Sequence, residues 1–332
     1  MSSDGLILVA DIGGTNTRLA VTPTDRLDLR HFRVFSSKAF ADFESVVARY
    51  LAEETITGVR GACLAPAGPI EDDRFQLTNN HWPVTQSAAV RKVLGAEHIL
   101  LINDFEAVAY GIGHLPPQDL VKLGGGVAKP GWPMIAVGPG TGLGMAYVVP
   151  VKGGRTIVQT AEAGVGSLPI QTARELAIAT HGLPPGTRII TEALIAGTGM
   201  LKIYQAIGAL DAQPTPLSTP ADVTQAALKA TDPVAVAALD QYLVWFGRVA
   251  GDLALALRAE GGVYLGGGIP PKILPRLLDG PFRAAFDDKP PLQRIVRSIP
   301  VHVVIADKPA LIGCAAAFAE AHPDLLSMAG QL

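Results

Sequence analysis

The chain opens on two short strand-like runs, residues 6–10 and 18–21, separated by a polar segment of glycine and short hydroxyl or amide side chains. Neither run has helical spacing, so residues 6–21 (LILVADIGGTNTRLAV) predict a β-hairpin with a polar tip. Phe40, Phe43, Val46, Val47, Tyr50 and Leu51 then recur at the spacing of a helix, expected over 39–54. A short apolar strand, 59–65, runs into Pro66-Ala67-Gly68-Pro69, and a helix over 85–94 follows. The strand at 98–102 empties into Asn103-Asp104-Phe105 and a helical pattern over 106–113. Strands alternating with crossover helices describe an α/β layer.

Residues 116–133 are rich in Gly and Pro and read as a connection between domains. Beyond it, an apolar strand at 134–137, a turn at 138–142 and a second strand at 143–151 repeat the opening element. Such a repeat suggests two copies of one supersecondary unit facing each other across a cleft. A small-residue loop at 159–169 holds Glu162, helices are expected at 171–180 and 191–207, and the proline-rich stretch 211–220 reads as an exposed loop. The longest periodic segment, 233–259, predicts a buried scaffold helix. A strand at 263–265 ends in Gly266-Gly267-Gly268, with Pro270 placed to start a helix. The last strand is expected at 301–305 and a final helix of small residues at 309–321.

Composition narrows the partners. With 332 residues, 48% of them hydrophobic, the chain can build two cores. A net charge of −3 without a dense basic run lacks the footprint of a nucleic-acid binder. No stretch approaches the apolar length of a membrane span, and no basic segment precedes the first strand, so a cytoplasmic protein acting on a small neutral or anionic partner is expected. Cys63 and Cys314 are the only cysteines, each among small apolar residues, and read as buried free thiols.

Several strands end in glycine-rich turns: 11–17, 138–144, 266–268 and, more weakly, 164–167. Together these describe backbone amides placed to hold phosphates. The first is neither a Walker loop nor a Rossmann loop, because the required spacing is missing and no helix follows; this sets a nicotinamide dehydrogenase far behind. Asp11 beside bare amides suits a metal-bound polyphosphate, although the stretch alone also reads as an ordinary tight hairpin with Asp11 as a turn residue. For Asp104 the plain structural role is equally available: Asn103 caps a helix and Asp104 is a first-turn acid. Its chemical role would be to accept a hydroxyl proton as an alcohol attacks a γ-phosphate. Glu162 and Glu192 could accept hydrogen bonds from sugar hydroxyls; Glu192 also reads as a solvated helix residue.

These segments in combination, residues 8–16, 77–80, 101–105, 138–144 and 266–269, resemble bacterial-type glucokinases, which belong to the hexokinase/actin/heat-shock-protein-70 ATPase superfamily. The resemblance implies an α/β, two-domain actin-like ATPase (ribonuclease H-like) fold with its active site in the interdomain cleft. It implies a small domain of residues 1–115 plus 312–332 and a large domain of 116–311. It further implies ATP and Mg2+ as cofactors, a sugar substrate, a homodimer, and neither nucleic acid nor membrane as partner. Asp11 would sit near Mg2+ through water. Gly13, Gly14, Thr15 and Asn16 would form the first phosphate turn, Gly138, Gly140, Thr141 and Gly142 the second, and Gly267 and Gly268 would lie by adenosine. Asn79, Asn103, Asp104, Glu162 and Glu192 would bind the sugar, with Asp104 the base on its 6-hydroxyl.

One departure stands out. Where the family reads Glu-Gly-Gly-His, this chain reads Glu162-Ala163-Gly164-Val165, and valine cannot make the histidine's hydrogen bond to the sugar. The lost contact is worth about 0.5–1.5 kcal/mol, or about 1–3 if a buried partner is left unpaired. It bears on which hexose is preferred, not on phosphoryl transfer. The expected reaction is therefore glucose to glucose 6-phosphate, with a kinase for another hexose or a non-catalytic sugar sensor on the same fold as the alternatives.

Overall fold

The computed structural model describes residues 5–78, 80–151 and 156–325, so Asn79 lies outside the described residues. The chain divides into two compact units, residues 1–115 with 306–332, and residues 116–305.

In the first unit, β1 (Leu6–Ile12) and β2 (Asn16–Pro23) form the expected hairpin, and β3 (Arg30–Ser36) extends it. Helix α1 (Phe43–Glu54) starts later than its apolar periodicity suggests. Residues Ser37–Ala39 form a separate 3-10 turn, and Asp42 caps α1 by accepting the Ser45 N–H at 2.8 Å. Strand β4 (Val59–Pro66) leads to a small sheet of β5 (Ile70–Glu71), β6 (Arg74–Phe75) and β7 (Thr85–Gln86). Then come α2 (Ser87–Leu94), β8 (His98–Leu101) and α3 (Asp104–Ile112). The main sheet has the order β3-β2-β1-β4-β8, with β1, β4 and β8 parallel. The C-terminal helix, Pro309–Ala321, packs on α3, β1 and β4. It lies whole in this unit, including residues 309–311, which the sequence expectation assigns to the large domain. Cys63 and Cys314 are buried free thiols in its core.

The second unit begins with a strand that the sequence did not disclose. Residues 116–133 are not only a connection: β9 (Leu120–Gly124) pairs antiparallel with β14 (Val301–Val304) at the sheet edge. Between them run β10 (Met134–Pro139), β11 (Leu143–Pro150), β12 (Thr156–Thr160), α4 (Ala173–Thr180), α5 (Gly199–Leu210), α6 (Pro220–Leu228), α7 (Pro233–Ala256) and β13 (Gly262–Leu265). Strand β12 takes the first residues of the stretch expected as a loop from 159, and Pro220 is the first residue of a helix instead of the end of a loop. The sheet order is β12-β11-β10-β13-β14-β9. Its first five strands repeat the order and strand directions of the first unit's sheet, which is the internal repeat seen in sequence. Its core is built on α7, where Leu239, Leu243, Phe246 and Ala250 are buried in one cluster with Ile135 and Val137 of β10 and Val263 and Leu265 of β13.

The helix expected over 191–207 is broken. Thr191–Ala193 form a 3-10 turn, and α5 starts only at Gly199. The Gly197 N–H donates to Gly140 O at 2.8 Å, so this segment is drawn to the second glycine turn instead of continuing a helical ladder.

Candidate active site

In the first unit the hairpin tip is tied down through its carbonyls. Gly13 O accepts the Ser37 hydroxyl at 2.7 Å, Gly14 O the Asn80 amide at 3.3 Å, Thr15 O the Ser37 N–H at 2.9 Å, and Asn16 O the Gly13 N–H at 3.0 Å. Ser37 is fully buried and also hydrogen-bonds the Thr17 hydroxyl at 3.0 Å. The N–H groups of Gly14 and Thr15 have no acceptor among the described residues. The backbone of the tip therefore has its carbonyls engaged and two N–H donors open, the polarity of an anion cradle.

Asp11 lies at the foot of this tip, opposite Arg18 in the β1–β2 register. Its Oδ2 accepts Arg18 Nη1 at 2.8 Å. Burial pushes the Asp11 carboxyl above its usual range, and the Arg18 charge only partly offsets it. Sequence reasoning did not single out Arg18. Its place directly across the hairpin from Asp11 was the available signal.

Asp104 is the first residue of α3. Asn103 caps that helix, its Oδ1 accepting the Phe105 N–H at 2.9 Å, while Glu106 Oε2 accepts the Asn103 N–H at 3.3 Å. The structural role foreseen for this pair is thus realised. The Asn103 side-chain amide also hydrogen-bonds the Asp104 carboxylate, a contact that favours its ionised form. Asp104 Oδ1 also accepts the Phe105 N–H at 2.9 Å. Burial foremost, and then the negative charge of Asp11, push the Asp104 carboxyl up to about 6. Two carboxylates in mutual electrostatic reach, Asp11 paired with Arg18 and both partly screened from solvent, form a site that a cation would stabilise.

In the second unit, β10 and β11 carry the second glycine turn, where the Gly140 N–H donates to Gly142 O at 2.8 Å and Thr141 is exposed. A Cβ on Gly138 would stand 1.9 Å from Gly266 O, so only glycine lets the turn after β13 lie against it. Gly267 and Gly268 follow there, exposed. Glu192 is not a solvated helix residue. Its Oε2 accepts the Leu143 N–H at 3.3 Å and occupies the space that a Cβ on Gly142 or Gly164 would fill, at 2.7 and 2.6 Å. The carboxylate is therefore seated between the second glycine turn and the loop of Glu162. Glu162 itself is exposed and opens the 3-10 turn Ala163–Val165. Val165 directs an exposed side chain outward, while Arg188 Nη2 holds its carbonyl at 2.9 Å.

A model of the glucokinase family matches residues 8–321. The chain belongs to the glucokinase family. Among the family's members it is 39% identical over 311 residues to the glucokinase of Chelativorans sp. (strain BNC1), which covers 93% of this chain and 90% of that protein. It is 36% identical to the glucokinase of Mesorhizobium japonicum, with the same two coverages of 93% and 90%. In structure it is similar to a glucokinase from an Antarctic psychrotroph, at 32% identity and a TM-score of 0.83, covering 95% of this chain and 99% of that one. The fold is also that of the Balamuthia mandrillaris glucokinase solved in complex with glucose, at 22% identity and a TM-score of 0.80 over 96% of this chain and 95% of that one. No group of three His, Cys, Asp or Glu side chains is gathered among the described residues, so these side chains build no closed all-protein metal cage. Among the described residues no helix is long and apolar enough to cross a membrane.

Proposed function

We propose that the chain phosphorylates glucose at its 6-hydroxyl with ATP, and that Asp104 is the general base. The observation that carries the base assignment is the Asp104 carboxyl at about 6, held there by burial and by Asp11. At neutral pH it is ionised and still basic enough to take a proton, which is the balance general-base catalysis requires. The hydroxyl proton passes to the Asp104 carboxylate as the oxygen attacks the γ-phosphorus; the bond to the β–γ bridging oxygen breaks and ADP leaves.

The other roles follow the chemistry of each group. The Gly14 and Thr15 N–H groups, with Gly13 and Asn16 completing the turn, receive phosphate oxygens. Gly138, Gly140, Thr141 and Gly142 do the same from the second unit, and Gly267 and Gly268 adjoin adenosine. The Asn103 Nδ2 donates to a sugar hydroxyl, and Asp104, Glu162 and Glu192 accept from others. Asp11 fits Mg2+ held through water. It offers one part-exposed carboxylate, shared with Arg18, and no group of three ligating side chains is gathered among the described residues, which suits an ion that would keep most of its waters. When bound, Mg2+ would neutralise charge on the β- and γ-phosphates. The exposed Val165, at the position where the family has its sugar-contacting histidine, favours a second reading, a kinase for another hexose or hexose derivative. A homodimer in the cytoplasm is part of the same reading, and light scattering tests the oligomeric state.

The deciding experiment is ADP release over a panel of hexoses, on wild type and Asp104→Ala. Glucose should be the best acceptor, and the variant should lose turnover while still binding ATP. Better turnover on another hexose replaces the sugar assignment; wild-type rates in Asp104→Ala remove the base.

A further inference from the structure

A buried ion pair lies behind the loop that carries Glu162. Arg248, on α7, is 9% exposed and Glu175, on α4, is 6% exposed. Arg248 Nη1 donates to Glu175 Oε2 at 2.7 Å and to Pro169 O at 3.2 Å. The same Glu175 Oε2 accepts the Gln171 N–H at 2.8 Å, and the Thr172 hydroxyl oxygen accepts the Glu175 N–H at 3.1 Å. One ion pair therefore holds both a carbonyl and an amide of the segment 169–171. Burial works to raise the Glu175 carboxyl, but Arg248 and the Gln171 N–H outweigh it and leave it below its usual range. Glu175 is therefore ionised at neutral pH.

That segment continues directly into paired backbone. Leu168 N–H donates to Ile189 O at 3.1 Å, Thr191 N–H donates to Gly166 O at 2.8 Å, and Ser167 and Ile190 form an antiparallel bridge. The paired segments lead back through the 3-10 turn Ala163–Val165 to Glu162 on one side and directly on to Glu192 on the other, with Gly164 against the Glu192 carboxylate. Stability alone is a poor reason for the ion pair, because buried pairs are often no better than apolar side chains of the same volume.

We infer that Arg248 and Glu175 are positioning residues: their ion pair fixes residues 166–171 and thereby sets the spacing of Glu162 and Glu192 for the sugar. This rests on the sugar-binding role proposed above for those two carboxylates. Neither Arg248 nor Glu175 touches substrate; they act through the loop.

The test uses the double substitution Arg248→Leu/Glu175→Leu, which removes both charges together and leaves neither buried alone, and Arg248→Lys, which keeps the charge but loses the planar fork. Steady-state kinetics and amide hydrogen exchange are read on each. In the double variant the KM for glucose should rise roughly tenfold or more, with the KM for ATP within about twofold and kcat within about threefold. Exchange should quicken at residues 166–171 and stay unchanged in the middle of α7. Arg248→Lys should fall between wild type and the double variant, and it carries the test if the double variant does not fold. A lower melting temperature with an unchanged KM for glucose makes the pair merely structural and overturns the inference. Unchanged exchange at 166–171 overturns it too. If wild type shows no glucose-dependent ATP turnover, the functional reading fails, and the exchange data still report whether the pair holds the loop.

Discussion

Asp104→Asn should make the protein more stable and nearly inactive, and the gain should depend on pH. Asp104 ionises near 6 in the folded chain against an ordinary value of 3.8, because burial and then Asp11 disfavour its charge. The folded state therefore holds this proton more tightly than the unfolded chain does. Between those two values stability falls as pH rises, and above about 6 the whole cost is present. At about 1.4 kcal/mol for each tenfold difference in proton affinity, the ceiling is roughly 3 kcal/mol at pH 7.5. Partial exposure of the side chain brings the expectation to about 1–3 kcal/mol. Asparagine is isosteric, carries no charge and still accepts the Phe105 N–H, so the variant should recover most of this. Thermal melts with a chelator present, so that no cation offsets the two carboxylates, measure it at pH 7.5 and pH 4. The melting temperature should rise at pH 7.5, by about 2–4 °C per kcal/mol for a domain of 150 to 250 residues. At pH 4 the increment should shrink below about 1 kcal/mol, because Asp104 is then largely protonated in the folded state. Turnover should drop about 10²–10⁴-fold. A variant that melts no higher than wild type at pH 7.5, or gains equally at both pH values, refutes the burial-driven shift.

Three further outcomes are expected. The pH dependence of kcat/KM for glucose should show an acidic limb with its midpoint near 6, falling about tenfold per pH unit below it; a flat profile from pH 5 to 7 removes Asp104 as the base. Gly313→Ala should destabilise the first unit by about 1–3 kcal/mol or more, read as a lower urea midpoint, because its Cβ would stand 1.6 Å from Ala107 O where the C-terminal helix crosses α3. Val165→His should lower the KM for glucose about three- to tenfold without changing the KM for ATP, and no change in a sugar panel shows that position 165 does not face the sugar.

The parts of the fold written in local sequence were legible, and those set by distant partners were not. The first hairpin, α7 and the C-terminal helix have periods that survive folding unchanged. Strand β9 did not, because its five residues sit in a Gly- and Pro-rich stretch and are made a strand by β14, far along the chain. The break in the helix expected from 191 has the same origin. Leu194, Ile195 and Ala196 keep an apolar pattern, but the Gly197 N–H finds Gly140 O and the ladder stops. At the site, Asp11 and Asp104 were visible because each ends a strand or begins a helix. The groups that set their chemistry were less so: Arg18 needs the hairpin register, and the effect of Asp11 on Asp104 needs the sheet.

Glu192 shows why this distinction matters for function. On a continuous helix it would be one acid on a solvated face, with no reason to hold a fixed direction. The interruption at 194–198 places it on a 3-10 turn, and the absence of side chains at Gly142 and Gly164 leaves a seat for its carboxylate. The same glycine turn proposed to offer amides to phosphate thus also seats the carboxylate proposed to bind the sugar. A side chain at Gly142 should then weaken sugar binding as well as nucleotide binding, whereas one at Gly14, whose carbonyl is held by Asn80, should affect the nucleotide first. Comparing the two alanine variants for their KM values toward glucose and ATP separates a shared seat from two independent turns.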